Sequence, residues 1–241
     1  MQRRVRVDVW YASLPDQPNA QQWAGWRKVL TRQELELEES YHLPSVKVQY
    51  LASRALVRSV LSSYLESAPE KIPFTLGKHG KPYLLSESPN CYFNVSHTHG
   101  LIVCAVARHG EVGIDIELCD RPVNLKLAPR YFAPEEVDQL EQLPESLRPS
   151  RFLEFWTLKE AFIKATGHGL AMPLDRFAFD LSGLEPRLMY CYDAGSPADW
   201  LIARSCLFDR YLLAVVTESR DYDQVVLHFH DAASALARSL D

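Results

Sequence analysis

The distribution of apolar residues along the chain predicts a series of short strands. Val5, Val7 and Val9 alternate with charged or larger residues, and this period of two predicts a first strand with one buried face. Further short apolar runs are bounded by turn-forming residues, which is typical of additional strands. These runs cover residues 74–76, 91–95, 101–107, 112–116, 177–181, 188–192, 200–204 and 211–217.

Other segments have apolar residues at helical spacing. Thr31 and Glu34 stand three residues apart, as in a capping box, and predict the start of one helix. A second helix of particular interest is rich in aromatic residues and is ended by Gly167. The predicted helices lie around Trp23, Trp26 and Leu30, after Thr31, at 45–65, from Pro134, at 150–166 and after His230.

The order of these elements predicts the fold class. Strand, helices and strands are followed by helices, strands and a helix, so the second part of the chain roughly repeats the first. We therefore predict an α+β fold of two similar halves, residues 1–117 and 118–241, packed as one compact unit. The chain has no linker or low-complexity segment to separate them.

Composition and charge narrow the possible classes of function. The chain has 241 residues, of which 47% are hydrophobic and 24% charged, as in ordinary globular proteins and unlike disordered or fibrous ones. Its net charge of −5 argues against a nonspecific nucleic-acid binder. The five cysteines form no C-x-x-C pair, which disfavours a disulfide scaffold or a structural zinc site. Without a signal-peptide core or a run of about 18 apolar residues, we expect a reduced, soluble, cytoplasmic protein.

Two carboxylates on one predicted strand form the first candidate site. Asp115 and Glu117 alternate with Ile114 and Ile116, so both acids point to one face, roughly 6–7 Å apart. Two like charges at that separation repel by roughly 2 kcal/mol at an effective dielectric constant of about 20. A divalent cation would remove this repulsion, and oxygen ligands favour Mg²⁺. The alternative is a strand whose polar face meets water.

The aromatic-rich helix carries the second candidate site. Glu160 and Lys164 are four residues apart and share a helix face. An exposed ion pair of this kind has little effect on stability. Because the neighbouring residues are mostly aromatic, however, we expect this pair at the edge of a core, where charges need a function.

Polar residues at a strand end and in a turn add candidate ligands for an anion. Ser96 and His97 follow an apolar strand, and both could donate hydrogen bonds to a phosphate. With His99, His97 could instead form a metal pair, although no third ligand is near in sequence. Lys78 and Lys81 flank Gly80 in a predicted turn, which is either an anion site or a solvated hairpin.

Taken together and in order, these motifs resemble those of the 4′-phosphopantetheinyl transferase superfamily, in particular its surfactin-synthetase-activating type. The resemblance rests on ordered segments rather than on any one residue. They are Gly-Lys-Pro at 80–82, Phe-Asn-Val-Ser-His at 93–97, Gly-Ile-Asp-Ile-Glu at 113–117, Trp-Thr-Leu-Lys-Glu-Ala-Phe-Ile-Lys at 156–164, Gly167 and Gly-Leu at 169–170, with flanking similarity at 54–60 and 130–132.

The resemblance implies an activity and a set of site residues. Such enzymes transfer the phosphopantetheine arm of coenzyme A to a serine of an apo carrier protein, require Mg²⁺ and release adenosine 3′,5′-bisphosphate. It also implies pseudo-twofold symmetry, with the coenzyme in the cleft between the halves, and a monomer. The implied metal ligands are Asp115, Glu117 and Glu160; the implied catalytic residues are Glu160, Lys164 and His97; the implied coenzyme contacts are Arg54, Lys47, Lys78, Lys81, Ser96, His97 and Lys164.

Some features leave alternatives open. Leu43 stands where some relatives have a lysine, and Lys47, one turn later, could replace that contact. The acids alone would also suit a Mg²⁺-dependent phosphohydrolase, and the cations alone a non-catalytic coenzyme-A-binding protein. For the carrier protein, the segment with Arg121, Lys126 and Arg130 is a candidate docking surface, and a solvated loop is the alternative.

Overall fold

The computed structural model describes residues 3–85 and 90–233. Eleven strands form within these ranges. They are β1 (Arg4–Leu14), β2 (Phe74–Leu76), β3 (Pro82–Leu84), β4 (Tyr92–Thr98), β5 (Gly100–Ala107), β6 (Val112–Leu118), β7 (Phe177–Asp180), β8 (Arg187–Cys191), β9 (Trp200–Leu207), β10 (Tyr211–Glu218) and β11 (Gln224–Asp231).

Two long helices and four shorter ones accompany these strands. The helices are α1 (Ala20–Lys28), α2 (Arg32–Ser40), α3 (Pro44–Leu65), α4 (Ala128–Tyr131), α5 (Pro134–Glu141) and α6 (Arg148–Thr166). A capping box formed by Thr31 and Glu34 begins α2, as predicted. Gly167, with φ of +70°, ends α6 in the left-handed conformation that favours glycine. In the parts of the chain that the structure describes, no helix is long and apolar enough to cross a membrane.

The strands form two main sheets and two hairpins. The first sheet has the order β11-β1-β5-β4, and β1 pairs antiparallel with β5 and parallel with β11. The second sheet has the order β6-β10-β9 and is antiparallel. The remaining pairs are the hairpins β2–β3 and β7–β8.

Three buried apolar clusters hold the layers together. Side chains of α3 pack on one face of the first sheet, for example Leu56 against Ile102 and Val106. The two sheets pack face to face through apolar residues such as Val103 and Val215. Finally, α6 covers the outer face of the second sheet and contacts the β7–β8 hairpin. The layers therefore follow the order α3, first sheet, second sheet, α6.

The mixed α+β fold is confirmed, and its parts repeat in order. A strand, a long helix, a hairpin and two more strands occur first as β1, α3, β2–β3, β4 and β5 and again as β6, α6, β7–β8, β9 and β10. The division after residue 117 stays a prediction. The structure adds β11, a strand that the sequence pattern missed, while most of the predicted last helix lies outside the described residues.

Candidate active site

Asp115 lies at the centre of the site, on β6 and 5% exposed. Its Oδ1 accepts hydrogen bonds from Lys164 Nζ at 2.6 Å and from Ser96 Oγ at 2.8 Å. Lys164 Nζ also lies 3.0 Å from Ser96 Oγ, so the three side chains form a closed triangle. Oδ2 of Asp115 is buried without a hydrogen-bond partner among the described residues. A buried carboxylate oxygen in this state is costly and is available to a ligand.

A glycine allows α6 to approach β6 closely enough for this contact. A Cβ added to Gly113 would lie 2.0 Å from the carbonyl oxygen of Ala161 and 2.3 Å from the amide nitrogen of Ala165. Both of these atoms belong to the backbone of α6, so only glycine permits the observed separation. The approach brings Lys164, between them on the helix, against Asp115 on the strand.

Glu160 and Glu117 complete a group of three acids. Burial is the main cause that raises the pKa of Glu160, and the negative charges of Asp115 and Glu117 add to it. Burial likewise raises the pKa of Glu117, with the Arg121 side chain and Lys164 opposing that shift. Glu117 forms an ion pair with Arg121, four residues later. The three carboxyl groups therefore repel one another and are only partly neutralised by these two cations.

The donor set suits a hard cation. Three carboxyl groups supply oxygen ligands, and the unpartnered Oδ2 of Asp115 is already desolvated. Among the residues that the structure describes, no three or more His, Cys, Asp or Glu side chains are already placed together so that they could hold a metal ion. Arg121 holds the Oε1 atom of Glu117, so this oxygen could join Asp115 around a cation only if the ion pair opened. The residues present fit Mg²⁺ in chemistry.

His97 connects the acids to a cavity beside α3. The cavity has a volume of about 310 Å³ and is lined by α3, by Pro82 of β3 and by Val95 and His97 of β4. Arg54, on α3, lies in its wall. Partial desolvation lowers the pKa of the His97 imidazole, and the positive charge of Lys164 lowers it further. A neutral imidazole and a guanidinium thus face one cavity next to the acidic group.

The other predicted cations lie in three different settings. Lys47 is on α3 and pairs with Glu38 at 3.8 Å. Lys78 is exposed on the turn between β2 and β3. Lys81 is buried, and its ammonium group donates to Glu111 at 2.7 Å, to the Val112 carbonyl at 3.2 Å and to the Ala165 carbonyl at 3.0 Å.

These contacts of Lys81 use every hydrogen of its ammonium group. They join the β2–β3 hairpin to the start of β6 and the end of α6. A phosphate contact from Lys81 would require it to leave one of these acceptors, so that role stays a prediction. The predicted roles of Lys47 and Lys78 likewise stay predictions, because neither lines the cavity of Arg54 and His97.

Asn94 is a residue whose role the sequence did not indicate. Its buried side-chain oxygen accepts a hydrogen bond of 3.0 Å from the backbone N–H of Ile114. Together with the Ser96–Asp115 contact, this bond attaches β4 to β6, although the two strands belong to different sheets. An asparagine inside a buried strand was the available signal, since such an amide needs a partner.

Two neighbours of predicted site residues have other roles. His99 Nδ1 lies 3.5 Å from Asp16 Oδ1 on the surface rather than beside His97. Lys159, the residue before Glu160, is fully buried and pairs with the equally buried Glu136 at 2.7 Å. Lys159 also donates to the carbonyl oxygens of Leu174 and Phe177. Within one helix, consecutive residues thus serve the core and the candidate site.

The assembled group can bind and polarise a phosphorylated ligand. Lys164, His97 and Arg54 offer donors to phosphate oxygens, whereas the carboxyl groups offer ligands to a cation. Burial raises the pKa of Glu160, which makes its carboxylate a stronger proton acceptor than an exposed one. Most of these groups lie where β4, β6 and α6 meet, and therefore where elements of both sheets come together.

Comparisons with known proteins identify related families. A family model described as "4'-phosphopantetheinyl transferase superfamily" matches residues 111–216. A second, described as "4'-phosphopantetheinyl transferase, N-terminal", matches residues 16–109. Together the matches cover both long helices, nearly all of the second sheet, and strands β4 and β5 of the first sheet.

Individual relatives agree with these matches. A putative 4′-phosphopantetheinyl transferase of Synechocystis sp. is 33% identical over 209 residues, covering 83% of this chain and 84% of the relative. The 4′-phosphopantetheinyl transferase HetI of Nostoc sp. is 33% identical over 83% of this chain and 85% of its own. Sfp of Bacillus subtilis is 35% identical over 54% of this chain and 57% of its own. The crystal structure of Thermotoga maritima holo-[acyl-carrier-protein] synthase is 29% identical, with a TM-score of 0.39, over 45% of this chain and 62% of that one.

Proposed function

The chain belongs to the 4′-phosphopantetheinyl transferase superfamily, and from this premise we propose that it transfers the 4′-phosphopantetheine arm of coenzyme A to a serine of an apo carrier protein. The second product is adenosine 3′,5′-bisphosphate. The observation that carries the proposal is the triangle of Asp115, Lys164 and Ser96, with one buried Asp115 oxygen left without a partner. This group places a carboxylate and a cation side by side, as a metal–pyrophosphate substrate requires.

We propose Mg²⁺ as the cofactor, held by Asp115, Glu117 and Glu160. When bound, Mg²⁺ would neutralise charge on the pyrophosphate and on the leaving group. The support is the chemistry of the donors, which are carboxylate oxygens, and the repulsion among them, which adds to the effect of burial in raising the pKa of both glutamates. Binding through Oε1 of Glu117 would require this atom to exchange Arg121 for the cation.

The other residues bind and orient the substrate. Lys164 and His97 would donate to phosphate oxygens, and Arg54 would hold the adenosine end across the cavity. The serine oxygen of the carrier attacks the β-phosphorus of coenzyme A, and the bond from that phosphorus to the adenosine bisphosphate oxygen breaks. Positioning and electrostatic stabilisation supply most of the rate in such reactions.

Glu160 is the proposed acceptor of the serine proton. Without a bound cation its pKa is raised, mainly by burial, which makes it a stronger base than an ordinary exposed glutamate. Coordination to Mg²⁺ would lower that pKa, so the roles of base and metal ligand compete. Glu160 lies on the same face of α6 as Lys164, one helical turn away. The proton would therefore leave the serine oxygen next to the group that holds the phosphate.

The carrier protein would dock beside the acidic group. Segment 121–130 follows β6 closely and has exposed basic residues at Arg121, Lys126 and Arg130. Arg121 is engaged by Glu117, which couples this segment to the site. We further propose that the protein acts in the cytoplasm as a monomer, without a nucleic-acid or membrane partner.

The test combines the protein with coenzyme A, Mg²⁺ and a panel of apo carriers from fatty-acid, polyketide and nonribosomal-peptide systems. We expect one carrier class to gain the mass of phosphopantetheine, with one adenosine 3′,5′-bisphosphate released per transfer. A carrier with its serine replaced by alanine is the matched control and should gain nothing. Chelation of the metal should stop transfer, and added Mg²⁺ should restore it.

Two results would contradict the proposal. The first is no mass gain with any carrier of the panel. The second is steady release of phosphate from coenzyme A in the absence of an acceptor protein, which would indicate a phosphohydrolase instead.

A further inference from the structure

Two cysteines lie together next to the candidate active site. Cys119 directly follows β6, Cys206 is on β9, and their sulfur atoms are 3.9 Å apart. Both side chains are exposed, whereas the remaining three cysteines of the chain are buried. The proposed transfer reaction uses neither thiol. This exposed pair is accessible to oxidants, and its sulfur atoms are already in van der Waals contact.

The strand register explains why the two thiols meet. Leu212 of β10 pairs with Glu117 on one side and with Cys206 on the other. The backbone N–H of Cys119 donates to the carbonyl of Arg210 at 2.9 Å, which extends the β6–β10 ladder by one step. Cys119 therefore stands opposite Arg210 and Cys206 opposite Leu212, so the two cysteines lie diagonally across β10 at one end of the sheet.

The thiols also share a face of the sheet with the acids. Asp115, Glu117 and Cys119 alternate along the chain, so their side chains point to the same side of β6. On that side, Arg204 of β9 forms an ion pair with Glu154 of α6, and Cys206 is two residues after Arg204. The cysteine pair therefore lies on the face that α6 covers, just beyond Glu117.

We propose that Cys119 and Cys206 form a reversible intramolecular disulfide. This bond lowers the rate of the reaction at the neighbouring acidic group. The formation of the disulfide is inferred from the positions of the two cysteines alone. The effect on activity rests on the proposed transferase function, because it is read out as carrier-protein modification.

The oxidant is a low-molecular-weight disulfide. One cysteine thiolate attacks a sulfur of this reagent, which forms a mixed disulfide and releases one small thiol. The second cysteine thiolate then attacks the protein sulfur of the mixed disulfide and releases the second small thiol. The protein pair loses two electrons and two protons, and the reagent is reduced to two thiols. A reducing thiol reverses both steps.

Formation of the disulfide must move a part of the chain that lies close to Glu117. A disulfide is about 2.05 Å long, so the sulfur atoms approach by about 2 Å. The movement falls on Cys119, because it begins an irregular segment, whereas Cys206 is held within β9. Arg121, two residues later, is the ion-pair partner of Glu117. Because Cys119 lies between Glu117 and Arg121 in the chain, oxidation displaces this ion pair.

The experiment treats the reduced full chain with oxidised glutathione over a range of glutathione redox ratios. Free thiols are then blocked, and intact mass, thiol count and peptide mapping are measured. We expect loss of two hydrogen atoms and a single cross-link between the peptides of Cys119 and Cys206. The transfer rate of this form should fall by about tenfold, as small displacements of catalytic groups can cause, and recover on reduction.

Cys206→Ser is the matched variant. It should form only a mixed disulfide with glutathione at Cys119 and no intramolecular bond. Cys119→Ser/Cys206→Ser should fold as the wild type does and keep its transfer rate in the oxidising buffer.

Several outcomes would overturn the proposal. They are a wild-type protein that accumulates only mixed disulfides, a cross-link through one of the buried cysteines, or a bridged form with the transfer rate of the reduced protein. If the reduced protein transfers nothing to any carrier, the proposed function fails, while mass and thiol count still decide whether the disulfide forms.

Discussion

Two lysine–carboxylate pairs on α6 differ in what surrounds them. Lys159 and Glu136 are fully buried, and the remaining hydrogen-bonding groups of both side chains have partners in the protein. Lys164 and Asp115 lie at a similar distance, but Lys164 is about one-quarter exposed and one oxygen of Asp115 has no partner. The first pair is a completed structural contact, and the second is open to a ligand.

The difference shows that separation and charge do not define a functional pair. Both contacts are short, and both lysines come from one sequence motif. What distinguishes the Lys164 pair is the presence of further carboxyl groups that it cannot neutralise, on Glu117 and Glu160. An excess of like charge is a destabilising arrangement that a ligand relieves, and such arrangements are typical of active sites.

The largest expected effect is on stability, at the buried pair. Lys159→Met leaves the Glu136 carboxylate without its counter-charge in the core, so the free energy of unfolding should fall by about 3–5 kcal/mol. Urea unfolding would measure it. The double variant Lys159→Met/Glu136→Gln, which removes both charges, should recover part of the loss. A single variant as stable as the wild type would show that the pair is not structural.

The next effect is on turnover, at the open pair. Asp115→Asn keeps the shape of the side chain but removes its charge, so transfer to the carrier should fall by about 10²–10³-fold. The free energy of unfolding should stay within about 1 kcal/mol of the wild type, because one of three repelling carboxylates is lost. Asp193→Asn, at a surface ion pair with Arg176, is the control and should change neither quantity. Undiminished turnover would contradict the metal assignment.

A smaller effect is expected from a substitution that moves Lys164 away from Asp115. Gly113→Ala forces α6 away from β6 near Lys164, because the added Cβ meets helix backbone. Turnover should fall by about tenfold, and stability by about 1–3 kcal/mol. Gly183→Ala is the matched control, since the nearest atom to its Cβ would be at 3.8 Å. Equal behaviour of the two variants would mean that the close approach does not position the site.

The smallest effect is expected on the free energy of unfolding when Glu160 is replaced by glutamine, with the same substitution at Glu136 for comparison. Glu160→Gln removes a repelling charge, so at neutral pH it should raise the free energy of unfolding by up to about 1 kcal/mol, whereas Glu136→Gln should lower it. The folded state raises the pKa of Glu160 and so binds its proton more tightly than the unfolded state does. Wild-type stability should therefore rise relative to Glu160→Gln as the pH falls through this pKa, and the gap should close. Urea unfolding at several pH values measures the gap, and a constant gap would contradict the prediction.

Much of the fold could be predicted from local patterns. The alternation of Val5, Val7 and Val9 corresponds to a buried strand face, and the aromatic-rich helix ends at Gly167. These elements depend on the period of apolar residues and on end signals that act within a few positions. The aromatic residues around Glu160 and Lys164 likewise predicted that this pair would lie at the edge of a core, and both side chains are half-buried.

What the sequence did not predict depends on contacts between distant segments. The pattern missed β11, whose parallel pairing with β1 joins residues as far apart as Arg4 and Gln224. Nor did it indicate that the ammonium group of Lys81 lies between Glu111 and two backbone carbonyls, and the phosphate contact of Lys81 stays a prediction. Burial and hydrogen-bond partners of a polar side chain are set by tertiary packing, which a local pattern does not contain.

The parallel pairing of β1 with β11 affects how the protein is made. β1 is central in its sheet, but one of its two neighbours is synthesised only after Asp223. Until then the first sheet has an unpaired edge of eleven residues, and such edges invite pairing with other chains. Folding on the ribosome should therefore stall at a state with α3 docked and β1 half paired. Because contacts of such long sequence separation form slowly, we expect closure by β11 to limit the rate of folding.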